Sequence, residues 1–265
     1  MIQRIVKIVV LSFILFYVPI QGFAWGVLGH RITGQVAESY LSVKARKAIK
    51  KILGNESLAM AANYADFIKS DSTYKYIDNW HYVNIDSGMT AQQIELKLQS
   101  DTGTNVYNRI IFLTNELKRE DLPNDKIVFY LKLLIHFVAD LHQPMHVGQY
   151  KDLGGNLIRL TWFNQPSNLH RVWDEHLIEF QQLSYTEYAQ AINFTTGNQL
   201  KTWQQAPIST WVTESYFIAQ GLYREIGNKE PRLSYRYNFD HLNTLNQRLL
   251  IGGVRLAGLL NEIFK

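Results

Sequence analysis

The feature that most constrains this chain is an apolar segment near its middle that carries histidines and an aspartate. It reads His136-Phe-Val-Ala-Asp140-Leu-His-Gln-Pro-Met-His146. Pro144 ends the helical pattern that contains His136 and Asp140. His136 and Asp140 are four residues apart. On a helix their Cβ atoms therefore lie only about 5–6 Å apart, and both side chains can reach one metal ion. A charged carboxylate buried in an apolar helix needs such a partner, because burying it alone is costly.

A second pair of the same kind follows in the sequence. His170 and Asp174 are again four residues apart, and His146 lies between the two pairs. A single His–Asp pair is equally well explained as a satisfied hydrogen bond in a core. Two pairs with a further histidine between them indicate a site for several metal ions, and nitrogen and oxygen ligands of this kind suit zinc.

Apolar residues recur at helical spacing along most of the chain and predict a mainly α fold. The helix that carries His136 is apolar on nearly all sides, which predicts a central position for it. Residues 157–163 are expected to form a short strand or one arm of a hairpin. Helices are expected over residues 57–69, 90–98, 107–118, 124–144, 208–226 and 241–264, and from about residue 167.

The first 24 residues differ from the rest of the chain. Arg4 and Lys7 are their only charges, and an almost uninterrupted apolar run over 8–20 is followed by small residues up to Ala24. This pattern is typical of a secretory signal peptide, whose removal after Ala24 would make Trp25 the first residue. The alternative is an uncleaved membrane anchor, for which the apolar run is short.

Composition favours one exported domain. The 265 residues are 46% hydrophobic and no proline-rich or serine-rich linker divides them. We expect a signal peptide over 1–24 and a single domain over 25–265, secreted or periplasmic, with no stable membrane association after cleavage. The chain has no cysteine, so disulfides and thiolate zinc sites are excluded. The net charge of +4 falls to +2 without Arg4 and Lys7, which is too small for a broad basic surface that binds nucleic acid.

Further candidate ligands lie upstream of the two pairs. His30 follows Trp25 by five residues, and His81 follows Asp66 by fifteen. Taken alone, each of them is better explained as a solvated aspartate or a surface histidine. Their combination with the two His–Asp pairs makes them candidate ligands.

These residues together resemble the zinc-dependent single-strand nucleases and 3′-nucleotidases of the S-one/P-one type, which are related to zinc phospholipase C. The resemblance covers residues 25–174 and, loosely, the helical tail. It implies a single helical domain of the zinc phospholipase C/nuclease type with a small β-hairpin. The matching motifs are Trp25-x4-His30, Ala65-Asp66, Trp80-His81, His136-x3-Asp140-x5-His146 and His170-x3-Asp174.

The resemblance also implies three Zn²⁺ ions, with Asp140 bridging two of them. The first ion would have the ligands Asp66, His81, His136 and Asp140. The second would have His146, His170 and Asp174, with waters completing its shell. The third would have His30, Asp140, and the α-amine and carbonyl oxygen of Trp25.

Trp25 can serve in this way only as an N-terminus. An α-amine has a pKa of about 7.7–8.0, so a metal readily displaces its proton. In a precursor the same nitrogen is an amide and a poor ligand, so signal removal would complete the third site. The alternative is that Trp25 is merely the first hydrophobic residue after cleavage.

The implied chemistry is hydrolysis of a phosphodiester. Three Zn²⁺ ions and three aspartates give the pocket a formal charge of about +3, which attracts a phosphate without a basic surface. Water bridging two zinc ions has a pKa near neutrality and can attack phosphorus in line, while the third ion stabilises the leaving oxygen. The resemblance implies products with 5′-phosphates and 3′-hydroxyls. The expected catalytic residues are Asp66, Asp140 and Lys69.

Three residues are expected to contact substrate. By family position Tyr82 would stack on a base and Asn84 would read a base edge, while Lys69 would contact the phosphate. Each is equally well explained as an ordinary surface or core residue. Relatives have Phe, Asp and Arg at the places of Tyr82, Asn84 and Lys69, so the base preference is open. The histidines without a matching role, interpreted as structural or solvent-facing, are His142, His176 and His241.

Two other functions fit part of this pattern. A zinc phospholipase C shares the ligands, but three features favour the nuclease. They are the closeness of Trp25 to His30, the aspartate in place of glutamate at the final ligand Asp174, and the long gap from His146 to His170. A helical protein that binds zinc only for rigidity would have a closed shell without a position for water. The expected protein is a monomer that acts on single-stranded nucleic acid and nucleotides.

Overall fold

Helices account for most of the fold, as predicted, and a small sheet completes it. The computed structural model describes residues 25–227 and 230–265, so the expected signal peptide over 1–24 lies outside the described residues. Short 3₁₀ helices cover Ser72–Trp80, Pro144–Val147 and Tyr150–Asp152, and a π-helical segment covers Val172–His176. The α-helices are α1 Val27–Ser39, α2 Val43–Leu53, α3 Leu58–Ala61, α4 Tyr64–Ile68, α5 Ala91–Ser100, α6 Val106–Glu116, α7 Asn124–His142, α8 Leu169–Arg171, α9 Leu177–Glu179, α10 Tyr185–Ile192, α11 Gly197–Gln205, α12 Ile208–Ile226 and α13 Tyr235–Ile263.

Helix α7 is central, as its apolar character predicts. Every residue of its last turns, from Leu133 to His142, is buried. The helix packs against α1, α6, α12 and α13. Its N-terminal half reaches the surface, where Lys126 is exposed. Any polar side chain in the buried half, such as His136, must therefore find its partners inside the protein.

The single helix predicted over residues 57–69 is wrong, because the chain forms α3 and α4 with a break between them. Asn63 has φ −92° and ψ 0°, outside the α-helical region. The carbonyl oxygen of Ala62 lies 2.6 Å from Nδ1 of His136 on α7. At the break the carbonyl of Ala62 thus accepts a hydrogen bond from a residue that is distant in the sequence. Helical periodicity does not reveal such a contact. The helix expected over 90–98 is confirmed as α5, which a capping box of Thr90 and Gln93 begins.

The predicted hairpin is confirmed and is part of a larger sheet. Strand β1, Arg159–Trp162, pairs antiparallel with β2, Gln165–Asn168. A third strand, β3, Arg232–Leu233, pairs parallel with β1. This strand was not predicted, because two residues are too few to show an alternating pattern.

The segment after the hairpin carries the second His–Asp pair. Asn168 caps α8, since its side chain accepts a hydrogen bond of 2.8 Å from the backbone N–H of Arg171. The chain then widens into the π-helical segment Val172–His176 before α9. Asp174 lies in this segment, and such π insertions are frequent at functional sites.

The C-terminal end of α7 is fixed by the two long helices that follow it. Ser215 of α12 donates its hydroxyl to the carbonyl of Leu141 at 2.6 Å. Arg248 of α13 donates its Nε–H to the carbonyl of His142 at 3.1 Å. Glu214 accepts a hydrogen bond from Arg248 at 2.9 Å, which balances the buried charge. These bonds satisfy carbonyls that the end of a helix leaves free.

No helix in residues 25–227 and 230–265 combines the length and the apolar character that crossing a membrane requires.

Candidate metal centre

The carboxylate of Asp140, fully buried near the end of α7, is surrounded by four histidines. Its Oδ2 lies 2.8 Å from Nδ1 of His81 and 3.1 Å from Nε2 of His136. Its Oδ1 lies 3.3 Å from Nε2 of His30 and 3.7 Å from Nδ1 of His146. One side chain therefore brings together histidines from α1, from the end of the Ser72–Trp80 helix, from α7 and from the Pro144–Val147 turn.

Three of the histidines in the centre are anchored to backbone carbonyls. A carbonyl oxygen can only accept, so each of these Nδ1 atoms carries a proton. Each Nε2 faces a carboxylate of the centre, Asp140 for His136 and Asp174 for the other two. Backbone anchors of this kind fix the tautomer and ring orientation of metal-binding histidines. The donor–acceptor pairs are His136 to Ala62 at 2.6 Å, His146 to His81 at 2.8 Å and His170 to Gly154 at 2.7 Å.

The anchor of His170 depends on a glycine. Gly154 has φ +63°, a conformation that residues with a side chain rarely adopt. A Cβ at this position would lie 2.6 Å from the carbonyl oxygen of Met145. The loop can therefore pass close to the Pro144–Val147 turn and present its carbonyl to the histidine.

One group of possible ligands consists of His30, Asp66 and His136, whose ligand atoms lie within 4.8 Å of one another. The carboxylate of Asp66 approaches His136 Nε2 to 3.8 Å and His30 Nε2 to 3.9 Å. The rings of His30 and His136 are stacked with centroids 3.8 Å apart. Lys69 contacts the same carboxylate at 2.7 Å, so the predicted phosphate contact lies beside a possible metal ligand.

Two more groups of the same kind adjoin the first. His81, His136 and Asp140 form one of them. His146, His170 and Asp174 form the other, with Asp174 Oδ2 3.0 Å from His170 Nε2 and Asp174 Oδ1 3.6 Å from His146 Nε2. Two ligands of one tetrahedral zinc lie about 3.3 Å apart when the bonds measure ~2.0–2.1 Å. The spacings in all three groups are near this value, so these residues can hold metal ions.

Several buried polar atoms of the centre have no hydrogen-bond partner among the described residues. Leaving such atoms unsatisfied is costly in a folded protein, and all of them are nitrogen or oxygen atoms of the kind that bind zinc. This donor set fits a metal centre better than a hydrogen-bonded core. The atoms are both ring nitrogens of His30, Nε2 of His81, Oδ1 of Asp140 and Nε2 of His146.

The electrostatics keep two of the aspartates ionised. Burial alone raises the pKa of the Asp140 carboxyl, but the charges of His136 and His146 hold that pKa well below its usual value. Burial also raises the pKa of Asp66, and the charges of His136 and Lys69 outweigh it and lower the pKa to about 2. Both carboxylates are therefore negative at neutral pH and attract cations.

Two of the histidines are held neutral. The pKa of His81 is lowered to about 3, mainly by burial and secondly by the charge of Lys69. The pKa of His30 is also lowered, mainly by burial and secondly by the charge of His136. A neutral imidazole has a lone pair for a metal ion, so these rings are ready to bind one at neutral pH.

The segment that starts at Trp25 lies against the centre. The Trp25 ring is fully buried, and its Nε1–H donates to the carbonyl of Ala139, the residue before Asp140, at 2.6 Å. The backbone N–H of Gly26 donates to the carbonyl of Asp174 at 2.9 Å. These two bonds place Trp25 between α7 and the π-helical segment.

A cleft of about 240 Å³ opens beside the centre and contains the three residues predicted to contact substrate. Tyr82 is 38% exposed, and its hydroxyl donates to Asn79 at 2.8 Å. The residues that line the cleft are Lys69, Asp78, His81, Tyr82, Asn84, Met145, His146, Tyr150, Leu153, Gly154, Asn156 and His170. Because histidines from two of the groups face it, the centre is accessible to a small substrate.

The three histidines without a predicted ligand role lie outside the metal groups. His142 is buried, donates to the carbonyl of Val138 at 2.7 Å, and accepts from Arg255 at 3.1 Å. The ring of His176 stacks on Trp162, and His241 pairs with Glu225 at 2.9 Å.

Comparison with known proteins identifies the family. A model of the S1/P1 nuclease family matches residues 25–265. The chain belongs to the S1/P1 nuclease family. It is therefore an enzyme, a nuclease that hydrolyses phosphodiester bonds of nucleic acids, as predicted from its motifs.

This S1/P1 nuclease is similar to plant and fungal enzymes along most of its length. It is 30% identical to Endonuclease 4 of Arabidopsis thaliana, with 91% of this chain and 89% of the relative covered. It is 29% identical to Endonuclease 3 of the same plant, with the same coverage. It is 26% identical to Nuclease P1 of Penicillium citrinum, with 90% of this chain and 97% of the relative covered.

One residue that supports the centre of this S1/P1 nuclease was missed in the sequence. Gln143 is fully buried between the ligand candidates Asp140 and His146. Its Nε2 donates to Oδ1 of Asp174, and its Oε1 accepts from the backbone N–H of Met145. The amide thus connects the turn after α7 to the π-helical segment. Its position between two candidate ligands was the only signal in the sequence.

We predict that Gln143→Leu lowers the affinity of the centre for added Zn²⁺ by roughly 10–100-fold, because Asp174 loses the donor that orients it. Competition titration of the metal-free protein with a chelator of known zinc affinity measures this change. Gln181→Leu is the matched control, because its amide also makes two hydrogen bonds, to Leu177 and Asn238, outside the three groups. Unchanged zinc affinity in a folded Gln143→Leu protein would contradict the supporting role.

Proposed function

We propose that the protein is a zinc-dependent endonuclease that cleaves single-stranded DNA and RNA, leaving 5′-phosphates and 3′-hydroxyls, and also acts as a 3′-nucleotidase. The observation that carries the proposal is the arrangement around Asp140. Its two carboxylate oxygens lie 2.8–3.7 Å from nitrogens of four histidines, and several of the donor atoms have no hydrogen-bond partner among the described residues. Such a donor set is suited to more than one Zn²⁺ ion.

We assign the ligands of three zinc ions as the family resemblance implies, which divides the group of His30, Asp66 and His136 between the third ion and the first. Asp140 would bridge the first and third ions, since its Oδ2 faces His81 and His136 and its Oδ1 faces His30. The ligands are Asp66, His81, His136 and Asp140 for the first ion, His146, His170 and Asp174 for the second, and Trp25, His30 and Asp140 for the third.

Zinc bound here would lower the pKa of an attacking water and add positive charge beside the phosphate. The residues of the cleft would position the substrate. Lys69, 2.7 Å from Asp66, would contact the phosphate at the edge of the centre. Tyr82 and Asn84 line the same cleft and would hold one base by stacking and by a hydrogen bond.

Trp25 would be a ligand through its α-amine once residues 1–24 are removed. The anchoring of its ring to the carbonyl of Ala139 supports this, because it holds the backbone of Trp25 next to the helix that carries Asp140. We propose that the mature protein is secreted or periplasmic, begins at Trp25, and acts as a monomer.

The cleft also bears on the two alternatives. A protein that used zinc only for rigidity would enclose its ions, whereas His81, His146 and His170 face a cleft. Nothing in the described residues favours phospholipids over polynucleotides as the substrate.

We predict that the protein starting at Trp25 degrades single-stranded DNA and that a zinc chelator lowers the rate about 100-fold or more, because the activated water is lost. Added Zn²⁺ restores the rate. Gel electrophoresis of a labelled oligonucleotide measures cleavage, and end-group analysis detects 5′-phosphates. Cleavage of phosphatidylcholine vesicles without cleavage of polynucleotides would reverse the assignment in favour of the phospholipase.

We further predict that one extra methionine before Trp25 lowers activity about tenfold and removes one zinc ion, because the amine becomes an amide and a poor ligand. The matched control carries the extra methionine after Lys265. Mass spectrometry verifies the first residue of each protein. Equal activity and equal zinc content in the two extended proteins would rule out the amine as a ligand.

A further inference from the structure

A surface next to the cleft is rich in aromatic side chains. They come from α4, the Ser72–Trp80 helix, α6 and α7. One of them is exposed, and the other five are partly exposed and pack against the hydrophobic core. Tyr76 is 55% exposed. We define this surface as the aromatic face, which consists of Tyr64, Tyr74, Tyr76, Phe112, Phe129 and Tyr130.

The rings of the aromatic face form a continuous path. Tyr64 contacts Phe129 with ring centroids 6.1 Å apart, and Phe129 contacts Tyr74 at 5.8 Å. Tyr74 is 6.5 Å from Tyr76. In the other direction Phe129 is 5.9 Å from Tyr130, which is 5.8 Å from Phe112. Scattered apolar residues are normal on a surface, but a connected patch indicates a binding surface.

Cationic side chains lie over several of these rings. The guanidinium of Arg109 is 4.8 Å from the centroid of Phe112 and 5.1 Å from that of Trp80. Its buried Nε has no hydrogen-bond partner among the described residues. Lys126, which is exposed, lies 6.0 Å from the centroid of Phe129. The face therefore combines stacking surfaces with groups that can bind an anion.

One helix connects the aromatic face to the cleft. The Ser72–Trp80 helix carries Tyr76 on the face and Asp78 in the cleft, and it ends immediately before His81. Tyr76 contacts Trp80 with centroids 5.6 Å apart. A strand that leaves the cleft along this helix would therefore meet the face.

We propose that the aromatic face binds the nucleotides of a single-stranded polynucleotide that extend beyond the cleft. Unpaired bases would stack on the rings, and Arg109 and Lys126 would contact phosphates. Bases in a duplex do not expose their faces, so the face selects single strands. The inference rests on the proposed nuclease function and extends it from the cleaved phosphate to the flanking nucleotides.

The test compares a long substrate with a short one. For wild type and for Tyr76→Ser combined with Arg109→Gln, kcat/KM is measured on a thirty-nucleotide oligodeoxythymidylate and on a thymidine dinucleotide. The ratio of the two values falls about fivefold or more in the double variant, because only the long strand reaches the face. Lys126→Gln, a change at an exposed side chain, lowers the ratio about twofold and makes cleavage of the long strand less dependent on salt.

The matched control is Phe239→Ser. Phe239 is 75% exposed and lies 5.7 Å from the guanidinium of Arg236, so it is an aromatic–cation pair outside the face. The Phe239→Ser protein is expected to have the wild-type ratio of kcat/KM on the long strand to kcat/KM on the dinucleotide. Thermal unfolding verifies that each variant is folded.

Two results would overturn the proposal while leaving the nuclease function intact. One is an unchanged ratio in the folded face variants. The other is an equal loss on both substrates, which would assign the face a structural role. If the ratio is unchanged and the face variants lose a dimer that wild type forms in sedimentation, the face binds a second copy of the chain. If the ratio is unchanged and the variants lose binding to anionic vesicles, the face binds lipid. A wild type that cleaves neither substrate would instead overturn the proposed nuclease function itself.

Discussion

The structure depends on one interaction, the contact of the buried Asp140 carboxylate with four histidines. An ionised carboxylate in an apolar interior is stable only with charged or hydrogen-bonded partners. The partners here come from four separate segments of the chain, and α7 carries the carboxylate to the point where they meet. Much of the fold can be understood as the frame that brings His30, His81, His136 and His146 to this one side chain.

That frame includes helices that contribute no candidate ligand. Ser215 and Arg248, from α12 and α13, bind the carbonyls of Leu141 and His142 directly after Asp140. The end of α7 is thereby fixed by residues outside the centre. A C-terminal region whose sequence shows no ligand motif is thus part of what positions the carboxylate.

The sequence predicts the parts of the structure that are encoded locally. The four-residue step from His136 to Asp140 indicates ligands on one helix face, and the apolar character of the same helix indicates its central position. The break after Ala62 was not predicted, because the bond to His136 joins residues far apart in the sequence. Gln143 was missed for the same reason, since its partner Asp174 lies on another element. The aromatic face is assembled from four segments, and no single one of them shows a pattern for it.

The most direct test is a zinc count on wild type and Asp140→Asn, each beginning at Trp25, by elemental analysis. If Asp140 bridges two ions, wild type holds about three zinc ions per chain and the variant about one, at His146, His170 and Asp174. Asp78→Asn is the control, because Asp78 lines the cleft outside the three groups and should leave the count at wild type. An Asp140→Asn protein with the wild-type count would contradict the bridging role of this carboxylate.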